Sequence, residues 1–327
     1  MYQPKLDLMT TEIAIKKVKD LFERELSYAL NLTRVSAPLF VYSDSGLNDN
    51  LNGTERPVSF DSPSYTRKME VVQSLAKWKR MALAKYGFKP GTGLYTDMNA
   101  IRRDEVPDHL HAIYVDQWDW EKIIGENDRQ TSYLKDTVIK IVHTLHLVQK
   151  EITKTWPQLM PYVTDDVYFI TSSELEAKYP DLTPKERENE IVRLHHTTFV
   201  SEIGWPLKNG APHDGRAPDY DDWQLNGDLL IYHPELDEAV EISSMGIRVN
   251  KESLLKQLEY KNNLDRLEYK YHQDIINNKL PLTIGGGIGQ SRICMLLLNK
   301  RHIGEVMSSL WPDEEVAKAK KEGIVLL

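Results

Sequence analysis

The composition of this 327-residue chain excludes several classes of protein. With 41 lysine and arginine residues against 49 aspartate and glutamate residues, the net charge is -8, which argues against nonspecific nucleic-acid binding through a basic surface. The single cysteine, Cys294, excludes an intramolecular disulfide, and its apolar neighbours predict a buried thiol in a reducing compartment. No apolar run reaches the length of a membrane helix and no signal-type segment opens the chain, so we expect a cytoplasmic protein without membrane association.

We expect a single domain over residues 1–327, since the chain contains neither an internal repeat nor a low-complexity linker. Its first predicted element is an amphipathic helix over residues 11–30, followed by a strand over Val35–Val41. Pro38 places that strand at an edge or an interface, because proline lacks the N–H that a strand ladder needs. The polar loop that follows contains Asp49. Loops rich in Asp and Asn usually serve only as turns, so Asp49 alone indicates no function.

A predicted strand over residues 65–72 leads into a helix that starts around Gln73. Lys77 and Lys79 on this helix are two positions apart and therefore do not share a helical face. At most one of these two lysines is expected to point into a site.

Two further strands joined by a polar loop predict an antiparallel hairpin that lines a site. Arg102 lies on the first strand, and the second runs over residues 111–121 with alternating apolar and polar side chains. Gln117 and Asp119 are two positions apart in that strand and therefore lie on one face.

A second hairpin carries an acid on each strand. Its strands are predicted at residues 225–232 and 238–244. Asp228 and Glu241 can approach each other across it, and two carboxylates beside a nucleotide triphosphate would suit Mg²⁺. Solvated acids on a strand surface are the alternative. Helices are predicted on either side of this hairpin, over residues 131–153, 183–195 and 250–278.

The most unusual stretch is Thr283–Arg292, in which four of five consecutive residues are glycine. We predict a strand over residues 282–284, a tight glycine segment, and a buried helix from Gln290. Arg292 lies in the first turn of that helix, where the macrodipole disfavours a cation, so a bound polyanion or nucleotide would explain it. The dinucleotide and P-loop glycine patterns both fail, and a close-packed turn without a ligand is the alternative. The apolar C-terminal residues are predicted to pack against the core.

Taken in order, these parts resemble the catalytic domain of class II aminoacyl-tRNA synthetases. The helix over residues 11–30 with Pro38 is similar to the first motif of that fold, Arg102 and the strand at 111–119 to the second, and Gly287–Arg292 to the third. The resemblance implies an α+β fold with a mainly antiparallel sheet flanked by helices. It also implies a homodimer formed through the N-terminal helix and the Pro38 strand.

Five strings make the resemblance more specific: Gln73–Arg80, Tyr114–Glu121, Arg216–Trp223, Ser243–Arg248 and Gly285–Arg292. Together they resemble ammonia-dependent asparagine synthetases, the stand-alone relatives of aspartyl-tRNA synthetases. The chain departs from the aspartyl-tRNA synthetase pattern at Leu75-Ala76, where those enzymes carry Pro-Gln. A tRNA synthetase would also carry an anticodon-binding domain, for which we find no room, so no tRNA partner is expected.

The resemblance implies a ligase of asparagine biosynthesis that uses ATP as a substrate and Mg²⁺ as a cofactor. The side-chain carboxylate of L-aspartate would attack the α-phosphate of ATP, giving β-aspartyl-AMP and pyrophosphate, and ammonia would then displace AMP to give L-asparagine. Free ammonia is the expected nitrogen donor, because a glutamine-hydrolysing part would need an activated nucleophile and the only cysteine is predicted to be buried. A synthetase-like paralogue that binds tRNA, aspartate or a regulatory partner without catalysis is the alternative. The joint presence of five site residues argues against it: Arg102, Gln117, Glu241, Arg248 and Arg292.

The resemblance also implies roles for individual residues. Asp49 would accept a proton from ammonium, Arg102 would stabilise the α-phosphate, and Gln117 would donate to the acyl oxygen as charge develops there. The aspartate substrate would be bound by Ser74, Lys79, Gln117, Asp119, Asp221, Ser243 and Arg248. The nucleotide would be bound by Arg102, His111, Val115, Asp228, Glu241, Ser244 and Arg292, with Asp228 and Glu241 also holding Mg²⁺. Gly285–Gly289 would be a strand beneath the adenosine, bare so that the nucleotide can lie close to the backbone.

Overall fold

The computed structural model describes residues 2–51 and 54–327. The helices within these ranges are α1 (Leu8–Leu30), α2 (Ala76–Tyr86), α3 (Thr131–Thr155), α4 (Ser172–Lys178), α5 (Pro184–His195), α6 (Lys251–Tyr260), α7 (Lys270–Ile276), α8 (Gln290–Leu297) and α9 (Asp313–Glu322). The strands are β1 (Leu32–Arg34), β2 (Phe40–Tyr42), β3 (Ser59–Phe60), β4 (Met69–Val71), β5 (Gly93–Ile101), β6 (Tyr114–Ile123), β7 (Tyr168–Thr171), β8 (Thr197–Ser201), β9 (Asp221–His233), β10 (Glu238–Arg248) and β11 (Thr283–Gly289).

Eight of these strands form one sheet in the order β1-β5-β6-β11-β10-β9-β8-β7. The pairs at its two ends, β1 with β5 and β7 with β8, are parallel. The pairs between them are antiparallel. Strands β2, β4 and β3 form a small separate sheet. The mainly antiparallel sheet with flanking helices confirms the predicted fold class.

Helices α1 and α3 pack against each other over the core. Helix α1 begins after Asp7, whose side chain accepts the N–H of Thr10 at 2.8 Å, and it ends at Asn31 in the left-handed conformation. Its apolar stripe is buried through Val18 and Phe22, both at 0% exposure. Within the ranges described, none of the helices has the length and apolar character needed to cross a bilayer.

Strand β6 separates this core from a polar face of the sheet. Trp118 and Trp120 are fully buried in the core, and the Trp118 ring centroid lies 4.8 Å from that of Phe22. Gln117 and Asp119 alternate with the tryptophans and therefore project to the opposite face, because successive side chains of a strand point to opposite sides. The apolar half of the alternation anchors the strand, and the polar half is left for a site.

Several local predictions are confirmed. Strands β5 and β6 form the first predicted antiparallel hairpin, and β9 and β10 form the second. The helix predicted over residues 183–195 is α5, which begins with a capping box between Thr183 and Glu186, and Cys294 is buried as predicted. In the C-terminal segment, the N–H of Leu327 donates to the carbonyl of Gly304 at 2.8 Å, and Leu327 packs against the core.

Some local predictions differ from the structure. Of the strand predicted over residues 65–72, only Met69–Val71 is a strand. The segment Val35–Val41 is not one strand, since β1 ends before it and β2 begins only at Phe40, with Pro38 in the irregular stretch between them. Thr283–Gly289 is one continuous strand, which replaces the tight segment suggested by the glycines alone and agrees with the strand that the resemblance implied for Gly285–Gly289. The glycines adopt the extended conformation because β11 is hydrogen-bonded to β10 on one side and to β6 on the other.

Candidate active site

The polar face of the sheet forms the floor of a cavity of about 400 Å³. Its walls come from the β5–β6 loop, from β10, from the loop before β9 and from the segment around Asp49. Most of the predicted site residues line it together: Asp49, Ser74, Lys79, Arg102, His111, Val115, Gln117, Asp119, Asp221, Glu241, Ser244, Arg248 and Arg292. The fold thus brings residues from distant parts of the chain to one place.

The glycines of β11 make room for polar side chains of the protein itself. A Cβ at Gly285 would lie 2.0 Å from Oε2 of Glu121, and one at Gly287 would lie 2.4 Å from Oε1 of Gln117. On the other side of the strand, a Cβ at Gly286 would lie 2.5 Å from the Cβ of Met245. The neighbouring strands therefore favour bare backbone at these positions, and an adenosine lying against it stays a prediction.

Five buried charged groups form a cluster at the cavity floor. The Arg248 guanidinium donates to Glu121 from Nε at 3.0 Å and from Nη2 at 2.7 Å, and its Nη1 donates to Asp221. Lys79 pairs with Asp119 and donates to the carbonyl of Gly286 at 3.1 Å. None of the five residues is more than 3% exposed.

Burial and ion pairing act in opposite directions on the pKa values of this cluster. Burial alone would raise the pKa of Glu121, but Arg248 and Lys79 keep it below its usual value. The same burial lowers the pKa of Lys79, against the attraction of Asp119. Burial raises the pKa of Asp221, with Arg248 opposing the shift. A charged ligand that enters here meets groups that water screens very little.

Asp49 is a buried carboxylate at the cavity wall. It is 2% exposed, and burial raises its pKa to about 6, with Lys77 opposing the shift. The Asp49 carbonyl accepts a hydrogen bond from Nε2 of Gln73 at 2.6 Å, which fixes the loop at this point. Lys77 pairs with Asp219 at 3.4 Å and does not line the cavity, so only Lys79 of the two lysines reaches the site. The polar loop around Asp49 spans residues 43–53 in the sequence, of which Asn52 and Gly53 lie outside the described residues.

Arg102, His111 and Arg292 bring cationic and imidazole groups to the same cavity. Nδ1 of His111 lies 2.9 Å from Oδ1 of Asp108, which orients the ring. Nη1 of Arg292 donates to the carbonyl of Glu241 at 2.9 Å. The anchoring by β10 provides a structural reason for an arginine in the first turn of α8.

Two predicted site residues do not line the cavity. Ser243 is 1% exposed and pairs with Ile288 on the core side, because neighbouring strand residues alternate and Ser244 takes the cavity side. Asp228 is 4% exposed and lies behind Arg216, with which it forms an ion pair. Burial raises the pKa of Asp228 to about 7, and Arg216 opposes the shift.

Asp228 and Glu241 do lie on one side of their hairpin, as expected. Asp228 pairs with Ser244 and Leu230 with Glu241, and a bulge at Ile242 brings both acids to the same face. Glu241 adds to the raised pKa of Asp228, which indicates that the two charges interact.

The sequence reasoning missed some residues that line or support the cavity. Arg216 and Tyr220 line it, and both lie in a string that was recognised without being given a role. Glu121 lies beneath Arg248. It continues the alternation of Gln117 and Asp119 by one more step, and this spacing alone could have identified it.

A family model described as aspartate–ammonia ligase matches residues 9–323 of the chain. The chain belongs to the aspartate–ammonia ligase family. An aspartate–ammonia ligase of Ruminiclostridium cellulolyticum is 56% identical over 327 residues, which cover 100% of this chain and 97% of that protein. An aspartate–ammonia ligase of Fusobacterium nucleatum is 56% identical over 326 residues, which cover 100% of this chain and 99% of that protein. Family membership confirms the asparagine-forming ligase predicted from the motifs.

Solved structures of tRNA synthetases share the fold of this ligase. Asparaginyl-tRNA synthetase of Entamoeba histolytica, in complex with asparaginyl-adenylate, matches with a TM-score of 0.65 at 15% identity, over 92% of this chain and 66% of that chain. Asparaginyl-tRNA synthetase of Pyrococcus horikoshii, complexed with asparaginyl-adenylate, matches with a TM-score of 0.63 at 17% identity, over 93% of this chain and 70% of that chain. At these identities the likeness concerns the fold alone, and it confirms the class II architecture.

Proposed function

We propose that this ligase makes L-asparagine in two steps within the single cavity. The side-chain carboxylate of aspartate attacks the α-phosphate of ATP, which forms β-aspartyl-AMP and releases pyrophosphate. Ammonia then attacks the acyl carbon, and AMP leaves with the electrons of the broken acyl–oxygen bond. The observation that carries this proposal is the buried charge cluster on the cavity floor, which lies in the same cavity as Arg102 and Arg292.

The charges of this cluster match those of aspartate. Lys79 and Asp119 present a cation beside an anion, which suits the carboxylate and the ammonium group of an amino acid. The planar guanidinium of Arg248 suits the second carboxylate of the substrate, and the ion pair with Asp221 holds that guanidinium in place. Ser74 and Ser244 add hydroxyl groups to the same cavity. Ser243 is left out, because its hydroxyl is buried on the core side.

Adenylation spreads negative charge over the α-phosphate and the acyl oxygen. Arg102 is suited to the phosphate, because a guanidinium donates two parallel hydrogen bonds to phosphate oxygens. Gln117 extends from the floor and can donate to the acyl oxygen. Arg292, His111 and Val115 bind the nucleotide in this proposal.

Asp228 and Glu241 would hold Mg²⁺. Oδ1 of Asp228 is buried and has no hydrogen-bond partner among the described residues, and Glu241 lines the cavity. The described part of the chain contains no group of three or more His, Cys, Asp or Glu side chains that could hold a metal. Mg²⁺ usually takes one or two carboxylates and completes its shell with water and substrate phosphates, so a pair of acids fits it. Bound there, the ion would neutralise charge on the phosphates of ATP.

In the second step, Asp49 would bind ammonium and accept one of its protons. With a pKa of about 6, its carboxylate is ionised at neutral pH but basic enough for proton transfer. A second proton leaves the nitrogen for water as AMP departs and the amide forms.

Isotope exchange tests the proposed order of steps. With aspartate and Mg²⁺ but no ammonium, the enzyme should exchange labelled pyrophosphate into ATP. Adding ammonium should then produce asparagine and AMP, whereas glutamine should not replace it. Exchange without asparagine formation, or asparagine formation without AMP, would contradict the proposal.

A further inference from the structure

Glu121 is a fully buried acid beneath the cavity floor. Its exposure is 0%. Its carboxylate accepts hydrogen bonds from Nε and Nη2 of Arg248, which form the side-on edge of the guanidinium. Its Oε1 also accepts the hydroxyl of Thr283 at 2.6 Å. A fully buried carboxylate is costly unless such partners satisfy it, so this geometry is strongly determined.

The contacts of Arg248 leave a defined part of its guanidinium for a ligand. The group has five N–H donors. Glu121 takes the Nε–H and one Nη2–H, and Asp221 takes one Nη1–H. One N–H remains on each terminal nitrogen, and Arg248 lines the cavity. If Asp221 takes the Nη1–H on the Cδ side, the remaining pair is the end-on pair of the guanidinium, which a carboxylate can accept together.

Glu121 also connects the two cations of the cluster. Its Oε2 lies 3.9 Å from Nζ of Lys79 and 2.7 Å from Nη2 of Arg248. Two cations this close would repel each other in a buried site, and a carboxylate between them offsets that repulsion.

We propose that Glu121 is a positioning residue for aspartate recognition. It fixes the guanidinium of Arg248 so that the two remaining N–H groups face the cavity, and it allows Lys79 to stay charged beside Arg248. The inference rests on the proposed function, since it concerns the carboxylate-binding part of that site. Glu121 itself does not contact the substrate.

Glu121→Gln tests this role, because it keeps the shape of the side chain and removes its charge. We expect the KM for aspartate in ATP–pyrophosphate exchange to rise about 10-fold to 100-fold, with the KM for ATP within about twofold of the original value. The matched control is Glu176→Gln. Glu176 is also a buried acid facing a buried arginine, Arg187 at 4.0 Å, but it lies on α4 outside the cavity. Glu176→Gln should leave the KM for aspartate and the KM for ATP unchanged.

Thr283→Val is a milder second variant, which removes only the hydroxyl that holds Oε1 of Glu121. It should raise the KM for aspartate about threefold or more. Thr198→Val is its control, since the buried hydroxyl of Thr198 on β8 has no hydrogen-bond partner among the described residues. If Glu121→Gln fails to fold, Thr283→Val decides the question by itself.

An unchanged KM for aspartate in the folded variants, or equal rises in both constants, would overturn the role of Glu121. The original enzyme provides the separate test of the proposed function. If it shows no aspartate-dependent exchange, the proposed function fails whatever the variants do.

Discussion

Asp49 lies in a loop whose composition predicts no more than a turn, but the folded chain buries its carboxylate to 2% exposure. The charged groups that surround it, Lys77 and Asp219, come from α2 and from the segment before β9. Local sequence cannot reveal such a neighbourhood, because the pKa of a buried acid depends on groups that only the fold assembles. The residue could be identified from the family pattern, and the physical basis of its role only from the structure.

The ammonia step should become faster as the pH rises through about 6. The pKa of Asp49 is raised, so below that value the group is mostly protonated and cannot accept a proton, and above it the group is mostly ionised. The measurement is asparagine formation at constant total ammonium, from about pH 5 to about pH 8. A rate that keeps rising in proportion to free ammonia, without an inflection near 6, would contradict the assignment.

Asp49→Asn should abolish asparagine formation and leave ATP–pyrophosphate exchange largely intact, because only the second step needs the carboxylate. Asp44→Asn is the matched control in the same loop, where the exposed Asp44 pairs with Arg67 outside the cavity. Loss of exchange in Asp49→Asn would show that Asp49 acts in adenylation instead.

At the scale of elements, strand β11 shows where pattern reading succeeds and where it stops. Its beginning and the following helix were predictable, because strand and helix periodicity are local properties. The glycines taken alone suggested a tight segment, and only the order of the surrounding motifs indicated a strand. The reason for these glycines lies in β6 and β10. Glu121, for example, is 127 positions away from its partner Arg248.

Gly285→Ala should impair aspartate binding although alanine is a conservative change. Its backbone does not adopt a positive φ, so alanine is conformationally allowed, but the new Cβ would lie 2.0 Å from Oε2 of Glu121 and 2.7 Å from Nη2 of Arg248. We expect the KM for aspartate to rise about tenfold or more as this pair is displaced. Gly125→Ala is the control, since its Cβ would approach only the side chain of Asp128, at 3.3 Å. A normal KM in Gly285→Ala would show that the pair can shift without loss of function.

At the scale of the whole molecule, α1 presents apolar side chains to solvent as well as to the core. Leu8, Met9 and Ile13 are 55%, 68% and 59% exposed. Apolar side chains grouped on one exposed helix are typical of a contact surface. The class II resemblance placed a homodimer interface at this helix and at Pro38, and we propose that interface for this enzyme.

Sedimentation velocity should therefore give twice the mass of one chain. Ile13→Glu should shift the enzyme toward the monomer, because a charge would be buried in the interface. Leu194→Glu is a control at a site of similar exposure, 60%, on α5. A monomer in the original enzyme would refute the proposed interface.

The single cysteine has a practical consequence for following this enzyme in solution. Cys294 is fully buried in α8, and burial raises the pKa of its thiol to about 12. Maleimide dyes react with accessible thiolates, so the native protein should remain unlabelled. A cysteine introduced beside Asp49 and another on α5 could then carry a fluorescent donor and acceptor without first removing a native thiol. Energy transfer between the dyes would report whether the distance between the Asp49 segment and α5 changes as substrates bind.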